Sequence, residues 1–253
     1  MQQHYHPTYD SLKTDLLAAA HDFDQLGTVL QDSRNTVKVI AINGERFNFK
    51  RFKVPNLLNR IVYRFFRKSK AQRSFEYAQK LLDNGIGTPQ PVAYFQEYNT
   101  IGLGSSFYIS KQLDADFTFR DLIQDDTIAD KEKVLRAYTR FLFNMHESGI
   151  YFLDNSLGNT LISVTAHGYE FALVDLNRMK FYDIPWDDRI LNFARLSPVK
   201  WPFEIMGDEY STLSRKRNPQ NTIDQMWHHA QEFQYKFARK KKYKKKFKAF
   251  LKS

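Results

Sequence analysis

No cysteine occurs in the 253 residues, which excludes disulfides, thiolate nucleophiles and Cys-ligated zinc. No run of 18 uncharged apolar residues occurs either, so no stretch reads as a membrane-spanning helix. The start, Met1-Gln2-Gln3-His4-Tyr5-His6, lacks the basic region and apolar core of a signal peptide. The last two absences predict a cytosolic protein, a reading that the lack of cysteine fits without deciding. Acidic residues are missing from one end: Lys236 to Ser253 holds ten basic residues and no acid, leaving 28 basic against 28 acidic over residues 1–235. The net charge of +10 therefore belongs to the tail, not to a nucleic-acid surface spread over the chain. What is present is apolar material, 42% hydrophobic and 15% aromatic, enough for one large domain or two small lobes and too much for disorder throughout.

Along the chain, residues 9–26 place Leu12, Leu16, Leu17, Ala20 and Phe23 at helical spacing behind Asp10 as N-cap. Thr36–Ile42 and Arg46–Phe52 bracket Asn43-Gly44, the strongest hairpin signal in the sequence. From Leu57 to Leu82 the pattern reads as helix, and ten basic residues accumulate from Arg46 to Arg73 without one acid, until Glu76 breaks the run. Gly85-Ile86-Gly87-Thr88-Pro89 ends that helix; strands at Val92–Glu97 and Ser106–Leu113 follow. A sheet with one helix packed on it is the expectation. Helices near Thr118–Ile123 and Asp130–Ser148 come next, the second with Val134, Tyr138, Phe141, Leu142 and Met145 on one stripe.

The chemistry concentrates after that helix. In Leu153-Asp154-Asn155-Ser156-Leu157-Gly158-Asn159 a carboxylate and a carboxamide stand five residues apart, and the next strand, Tyr169–Val174, runs into Asp175. Asp-x-x-x-x-Asn is the spacing of a phosphotransferase loop, where the Asp orients a hydroxyl and the Asn holds a metal ion. Lys50 on the second strand of the hairpin is placed to touch phosphates, and Glu76 on the following helix to pair with Lys50.

Lys50, Glu76, Asp154, Asn159 and Asp175, in that order, resemble the protein-kinase-like phosphotransferases, and more narrowly the lipopolysaccharide kinases, which in Gram-negative bacteria phosphorylate Kdo or heptose of the inner core. The stretches that carry the resemblance are Phe49-Lys50-Arg51-Phe52-Lys53, Glu76 to Pro91, Met145-His146-Glu147-Ser148-Gly149-Ile150, Asp154 to Asn159, and Val174-Asp175-Leu176-Asn177-Arg178. It implies a two-lobed α+β fold: an N-terminal lobe over 1–113 with an antiparallel sheet plus helix, a mainly helical catalytic lobe over 114–235, and a basic tail over 236–253. It also implies ATP and Mg2+ as cofactors. Lys50 would hold the ATP phosphates, Glu76 the lysine, the connector Lys111-Gln112-Leu113 the adenine, Asp154 the acceptor hydroxyl, and Asn159 and Asp175 the magnesium. Oxygen ligands suit that hard cation.

The sequence also departs from the pattern. Gln31-Asp32-Ser33-Arg34-Asn35-Thr36 stands where a Gly-rich loop belongs, Phe152-Leu153 replaces the usual His-Arg, and Asp175 precedes Leu176-Asn177 rather than Phe-Gly. Without that Arg, control by activation-loop phosphorylation is not expected. Phosphate contacts would come from backbone amides or Ser33, Arg34 and Asn35. Another small-molecule or protein kinase of the superfamily, or an inactive relative with a nucleic-acid-binding tail, stays open as an alternative.

His146 reads as a packed residue rather than a base, and Asn155 as a shaper of the loop. His228 and His229 are adjacent and so point apart on a helix, unlike an i, i+4 metal pair. Asp183, Asp187 and Asp188, with Arg178 and Arg189, lie where an acceptor could bind but read equally as surface ion pairs. Trp201–Asn218 shows no regular period. Beyond Thr222 a helix carries Ile223, Met226, Trp227, Ala230, Phe233 and Phe237 on one face and grades into the basic tail. A basic helix with aromatics suits an anionic membrane surface, at about 1 kcal/mol per basic residue. A solvated tail ranks second and nucleic acid last. The expected acceptor is a lipid-linked sugar of lipopolysaccharide at the cytosolic face of the membrane; oligomeric state is left open.

Overall fold

At Asn43 and Gly44 the backbone turns with φ of 51° and 81°, the left-handed pair that a two-residue hairpin demands and that Asn-Gly tolerates best. The strands it joins are β3 (Thr36–Ile42) and β4 (Glu45–Phe52), in register from Ile42 opposite Glu45 to Thr36 opposite Arg51. The structure, a computed structural model, describes residues 1–215 and 218–250, with side chains as far as Lys244. Leu251, Lys252 and Ser253 of the basic tail lie outside the described residues. The chain divides into two compact units, Met1–Asp114 with Ala172–Arg178, and Ala115–Phe171 with the described residues from Met179 onward.

The first unit is built on a six-stranded antiparallel sheet. Besides the hairpin it contains β1 (Gln2–Tyr5), α1 (Lys13–His21), β2 (Thr28–Asp32), α2 (Leu57–Phe65), α3 (Lys70–Asp83), β5 (Pro91–Tyr98) and β6 (Leu103–Lys111). The strand order is β1-β5-β6-β4-β3-β2. Alternation along β4 sends Phe47 and Phe49 to one face, where they pack with Leu16, Ala20 and Phe23, and Phe52 to the other, where Ala71 and Phe75 of α3 meet it. Lys50 shares the Phe52 face. The sheet is thus covered on both sides, and the N-terminal helix supplies the second cover. Edge strands β1 and β2 were not expected from the sequence: Gln2–His4 and all of β2 are exposed, so backbone pairing, not apolar patterning, recruits them.

The helix expected over Leu57–Leu82 is two helices. Ser69 breaks it: its Oγ accepts from the Gln72 backbone N–H at 3.1 Å and caps α3, while the buried Gln96 amide also donates to that oxygen at 2.5 Å. At its far end α3 closes with Gly85 at φ 70° and Ile86 N–H bonded to Leu81 O at 2.9 Å.

The second unit holds β7 (Phe117–Thr118), α4 (Phe119–Gln124), α5 (Lys131–Glu147), β8 (Ile150–Phe152), β9 (Thr160–Thr165), most of β10 (Gly168–Leu173), β11 (Met179–Phe181), α6 (Trp186–Leu191), α7 (Trp201–Ser214) and α8 (Pro219–Phe250). β9 lies between β10 and β7, and β11 pairs with β8. The stripe read on α5 is its core face, with Val134, Tyr138, Leu142 and Met145 buried. α7 occupies the segment without an apparent period. Its buried face runs Phe203, Met206, Gly207, Tyr210, Ser211, and the two small polar-scale residues hide the repeat. Gly207 is needed there, because a Cβ would stand 2.6 Å from Ile223 Cγ1 of α8. Ile223, Met226 and Ala230 of α8 are buried as expected, but Phe237 is exposed: α8 outruns the elements that cover its first turns.

Candidate active site

In the first unit the side chain of Lys50 reaches Asp175, with Nζ 2.8 Å from Oδ1. The residues are 125 apart in sequence. Asp175 is brought there because Ala172–Arg178 belong to this unit: Leu173 N–H bonds Gly87 O at 2.9 Å, and the Thr88 hydroxyl donates to Leu173 O at 2.7 Å. Asp175 itself sits at φ 61°, a left-handed conformation uncommon outside glycine but tolerated by Asp. Asn177 Nδ2 donates to the same Oδ1 at 2.6 Å, and Leu176 is buried beside it. Leu176-Asn177 in place of Phe-Gly therefore gives an apolar anchor and an amide that holds the carboxylate.

Glu76 does not pair with Lys50. Its carboxylate accepts from Lys68 at 2.8 Å to each oxygen and from Gln72 at 3.0 Å. Gln72 is one helical turn before Glu76, and Lys68 stands just outside the α3 cap, so local partners satisfy it. Gln112 accepts at Oε1 from Asn48 at 3.1 Å and donates to Leu113 O at 3.0 Å, while its N–H bonds Arg46 O at 2.9 Å. The basic run also divides. Lys70 opens α3, and burial, then Arg34 and Arg73, pull its ammonium below the usual amine range, with Asp175 opposing and Lys50 adding to the shift. Arg60 and Arg64 bind backbone on the β5–β6 turn. Lys70 was visible in sequence only as one member of a patch; its position at the helix start beside that charge cluster was not.

In the second unit the loop Asp154–Asn159 joins β8 to β9. Asn159 Nδ2 donates to Asp154 O at 2.8 Å, so the Asn159 side chain is tied to the backbone of Asp154. Arg195 Nη1 lies 3.0 Å from Asp154 Oδ1 and donates to Leu153 O at 2.9 Å. A cation thus stands beside Asp154 although Phe152-Leu153 brings none, and it comes from 41 residues away, which no local signal announced.

Behind the loop a buried network fixes its shape. Asn155 Nδ2 donates to Asn192 O at 3.1 Å, and the Tyr138 hydroxyl to Asn155 Oδ1 at 2.9 Å. Asn192 Nδ2 donates to Phe152 O at 2.8 Å, so its Oδ1 faces His146 Nε2 at 3.1 Å as acceptor. His146 Nε2 then carries the proton and Nδ1 accepts from the Tyr210 hydroxyl at 2.9 Å. His146 and Asn155 are packed residues, as the sequence suggested. Asp188 and Arg189 likewise serve structure: Tyr182 donates to Asp188 at 2.7 Å, and Arg189 binds Ile184 O at 2.8 Å and pairs with Glu147.

Burial pushes the His146 pKa down to about 4. An unfolded chain would take up that proton near 6.5, so between about 6.5 and about 4 the unfolded state binds more protons and stability falls as pH falls. Unfolding equilibria over that window are expected to show a loss of about 3 kcal/mol from this group, and a His146→Gln variant to show a correspondingly flatter profile. An equally steep profile in the variant would assign the loss elsewhere.

The residues of each unit fit the groups a phosphotransferase handles. Asp175 offers hard carboxylate oxygen to a divalent cation and Lys50 an ammonium to phosphate oxygens; Asn159 adds amide oxygen. Among the described residues no three His, Asp or Glu side chains cluster to cage a metal. A magnesium ion that keeps waters and takes substrate phosphate needs no such cage. A family model described as Lipopolysaccharide kinase (Kdo/WaaP) family matches residues 38–210, well over half of the chain. The chain belongs to that family. It is a kinase, and its family's substrate is lipopolysaccharide. Among solved structures, one titled "WaaP in complex with acyl carrier protein" is similar with a TM-score of 0.60 at 16% identity, over 92% of this chain and 99% of that one. That likeness assigns the WaaP-like kinase fold. Direct comparison with curated protein sequences gives no match.

Proposed function

We propose that this lipopolysaccharide kinase transfers the γ-phosphoryl group of ATP, with Mg2+, to a hydroxyl of inner-core Kdo in preference to heptose, at the cytosolic face of the membrane. The observation that carries the reading is the Lys50–Asp175 pair at 2.8 Å. An ammonium and a carboxylate are held together there by the fold: Lys50 would offer its ammonium to phosphate oxygens of ATP, and Asp175 its carboxylate to a divalent cation. When bound, magnesium would neutralise charge on the transferred phosphoryl group, with the Asp175 carboxylate among its ligands.

The protein's own groups do the rest. Asp154 accepts the acceptor hydroxyl's proton, and Asn159 and Arg195 hold its backbone and carboxylate in place. Phosphoryl transfer passes through a loose transition state, so orientation and charge neutralisation supply most of the rate. Lys70, at the first turn of α3, adds positive charge near Lys50 in a chain without a Gly-rich loop. Kdo carries a carboxylate that heptose lacks, and Arg195 beside Asp154 is a cation able to meet it. The exposed basic residues of α8 up to Lys244 suit an anionic leaflet.

The test is transfer of label from γ-labelled ATP to purified Kdo-bearing lipid A and to a heptosylated acceptor, with and without a chelator. Labelled Kdo that vanishes with the chelator is expected. Label on heptose alone would replace the acceptor, and label on neither, at any magnesium concentration, would remove the reading.

A further inference from the structure

The α2 helix turns its polar side inward. Arg60 Nε donates to Leu103 O at 3.1 Å and its Nη2 to Asn99 Oδ1 at 2.8 Å, while Arg64 Nη1 donates to Asn99 O at 2.7 Å and Thr100 O at 3.0 Å. The helix lies so close to the β5–β6 turn that a Cβ on Gly102 would meet Arg60 O at 2.5 Å. The opposite side carries Leu57, Leu58, Ile61, Val62 and Phe65, spaced one and four apart and so on a single stripe. Phe66 extends it. No residue of the helix is buried; Leu58 is 76% exposed, Phe65 67% and Phe66 83%.

Single exposed apolar residues are ordinary, but a contiguous stripe marks an interaction surface. A nine-residue helix is marginal in water by itself. Its dock through Arg60 and Arg64 holds it and also decides which way the stripe faces. The charge around it selects the occupant: no acid occurs from Arg46 to Arg73, and Lys53 and Arg67 are exposed on the chain flanking the helix. An apolar stripe on a projecting helix, bordered by cations, matches the interface of an anionic leaflet, with acyl chains for Leu and Phe and phosphates for Lys and Arg. The family's substrate is itself lipid-borne.

We propose that α2 is a membrane-docking helix whose apolar stripe enters the interface of an anionic lipid leaflet. This assigns an apolar anchor independent of the basic end of α8, and it holds whichever sugar hydroxyl is phosphorylated. The two elements differ in their response to salt. Charge attraction is screened within a few ångströms at about 0.5 M salt, whereas apolar insertion is not.

The test is co-sedimentation of the full chain with vesicles of about three parts phosphatidylcholine to one part phosphatidylglycerol, at low salt and at about 0.5 M salt. Binding that persists at high salt and weakens at least about tenfold in Leu58→Glu/Phe65→Glu, with an unchanged melting temperature, is expected. A Leu58→Trp variant should show a blue-shifted emission component on binding, which checks insertion without a charge change. Equal high-salt binding by wild type and double variant would overturn the proposal. So would a wild-type chain that stays off the vesicles and instead uses this face to bind a purified acidic protein such as acyl carrier protein. None of these readouts needs turnover, so failure of the docking helix and failure of the phosphotransfer reading are separable.

Discussion

Replacing Asp154 by Asn is expected to slow phosphotransfer by about 10³-fold while leaving the fold and the apparent affinity for ATP unchanged, because general-base assistance contributes on the order of 10²- to 10⁴-fold. The substitution keeps the shape of the side chain. Asn159 still donates to the backbone carbonyl of residue 154, and Arg195 still finds an amide oxygen where it now meets Asp154 Oδ1 at 3.0 Å. What would be lost is the negative charge proposed to take the hydroxyl proton as the phosphoryl group arrives. Loss of an interaction made only in the transition state lowers kcat and kcat/KM together. Measuring both, with melting temperature as the check on folding, decides it; a kcat within tenfold of wild type would mean that another group carries the proton.

The second large effect is expected at Lys50. Lys50→Met should lower kcat/KM for ATP by about 10²- to 10³-fold, the range found when one preorganised donor is removed from a developing charge. Asp175→Asn should fall by a similar factor, and the double variant by much less than the product, since the two side chains form one unit at 2.8 Å. Stability is expected to change little. The Asp175 side chain is 39% exposed, so water can replace much of what the lysine supplies. Lys50→Arg is not expected to rescue activity, because a planar fork cannot stand in for the compact ammonium on the Phe52 face of β4. Steady-state kinetics for the four proteins completes the cycle; multiplicative losses would show that Lys50 and Asp175 act separately.

Glu76 shows why a role read from order is weaker than one read from distance. On the sequence it is the lone acid after a long basic run and follows a strand lysine, so pairing with Lys50 is the economical expectation. In the fold, Gln72 is its neighbour on α3 and Lys68 sits outside the cap, and both reach it. Lys70 and Arg60 were likewise one undifferentiated patch until α2 and α3 separated, which depended on Ser69 finding both Gln72 and Gln96.

Local preference was legible from the residues alone. Asn43-Gly44 is a tight turn whatever surrounds it, the stripe on α5 is apolar at the helical period, and Asp154 and Asn159 are kept within one loop by five residues of chain. Together with Lys50, Glu76 and Asp175 in their order along the chain, that loop carries the resemblance to the family. Tertiary structure decided the partners that come from far away: Arg195 beside Asp154, Asp175 against Lys50, α1 on the second face of the sheet, and the apolar side of α2 turned outward. The physical reason is that conformational preference acts over a few residues, whereas which charge meets which, and which face is covered, depends on how separate elements pack, and packing follows shape and burial that no short window contains.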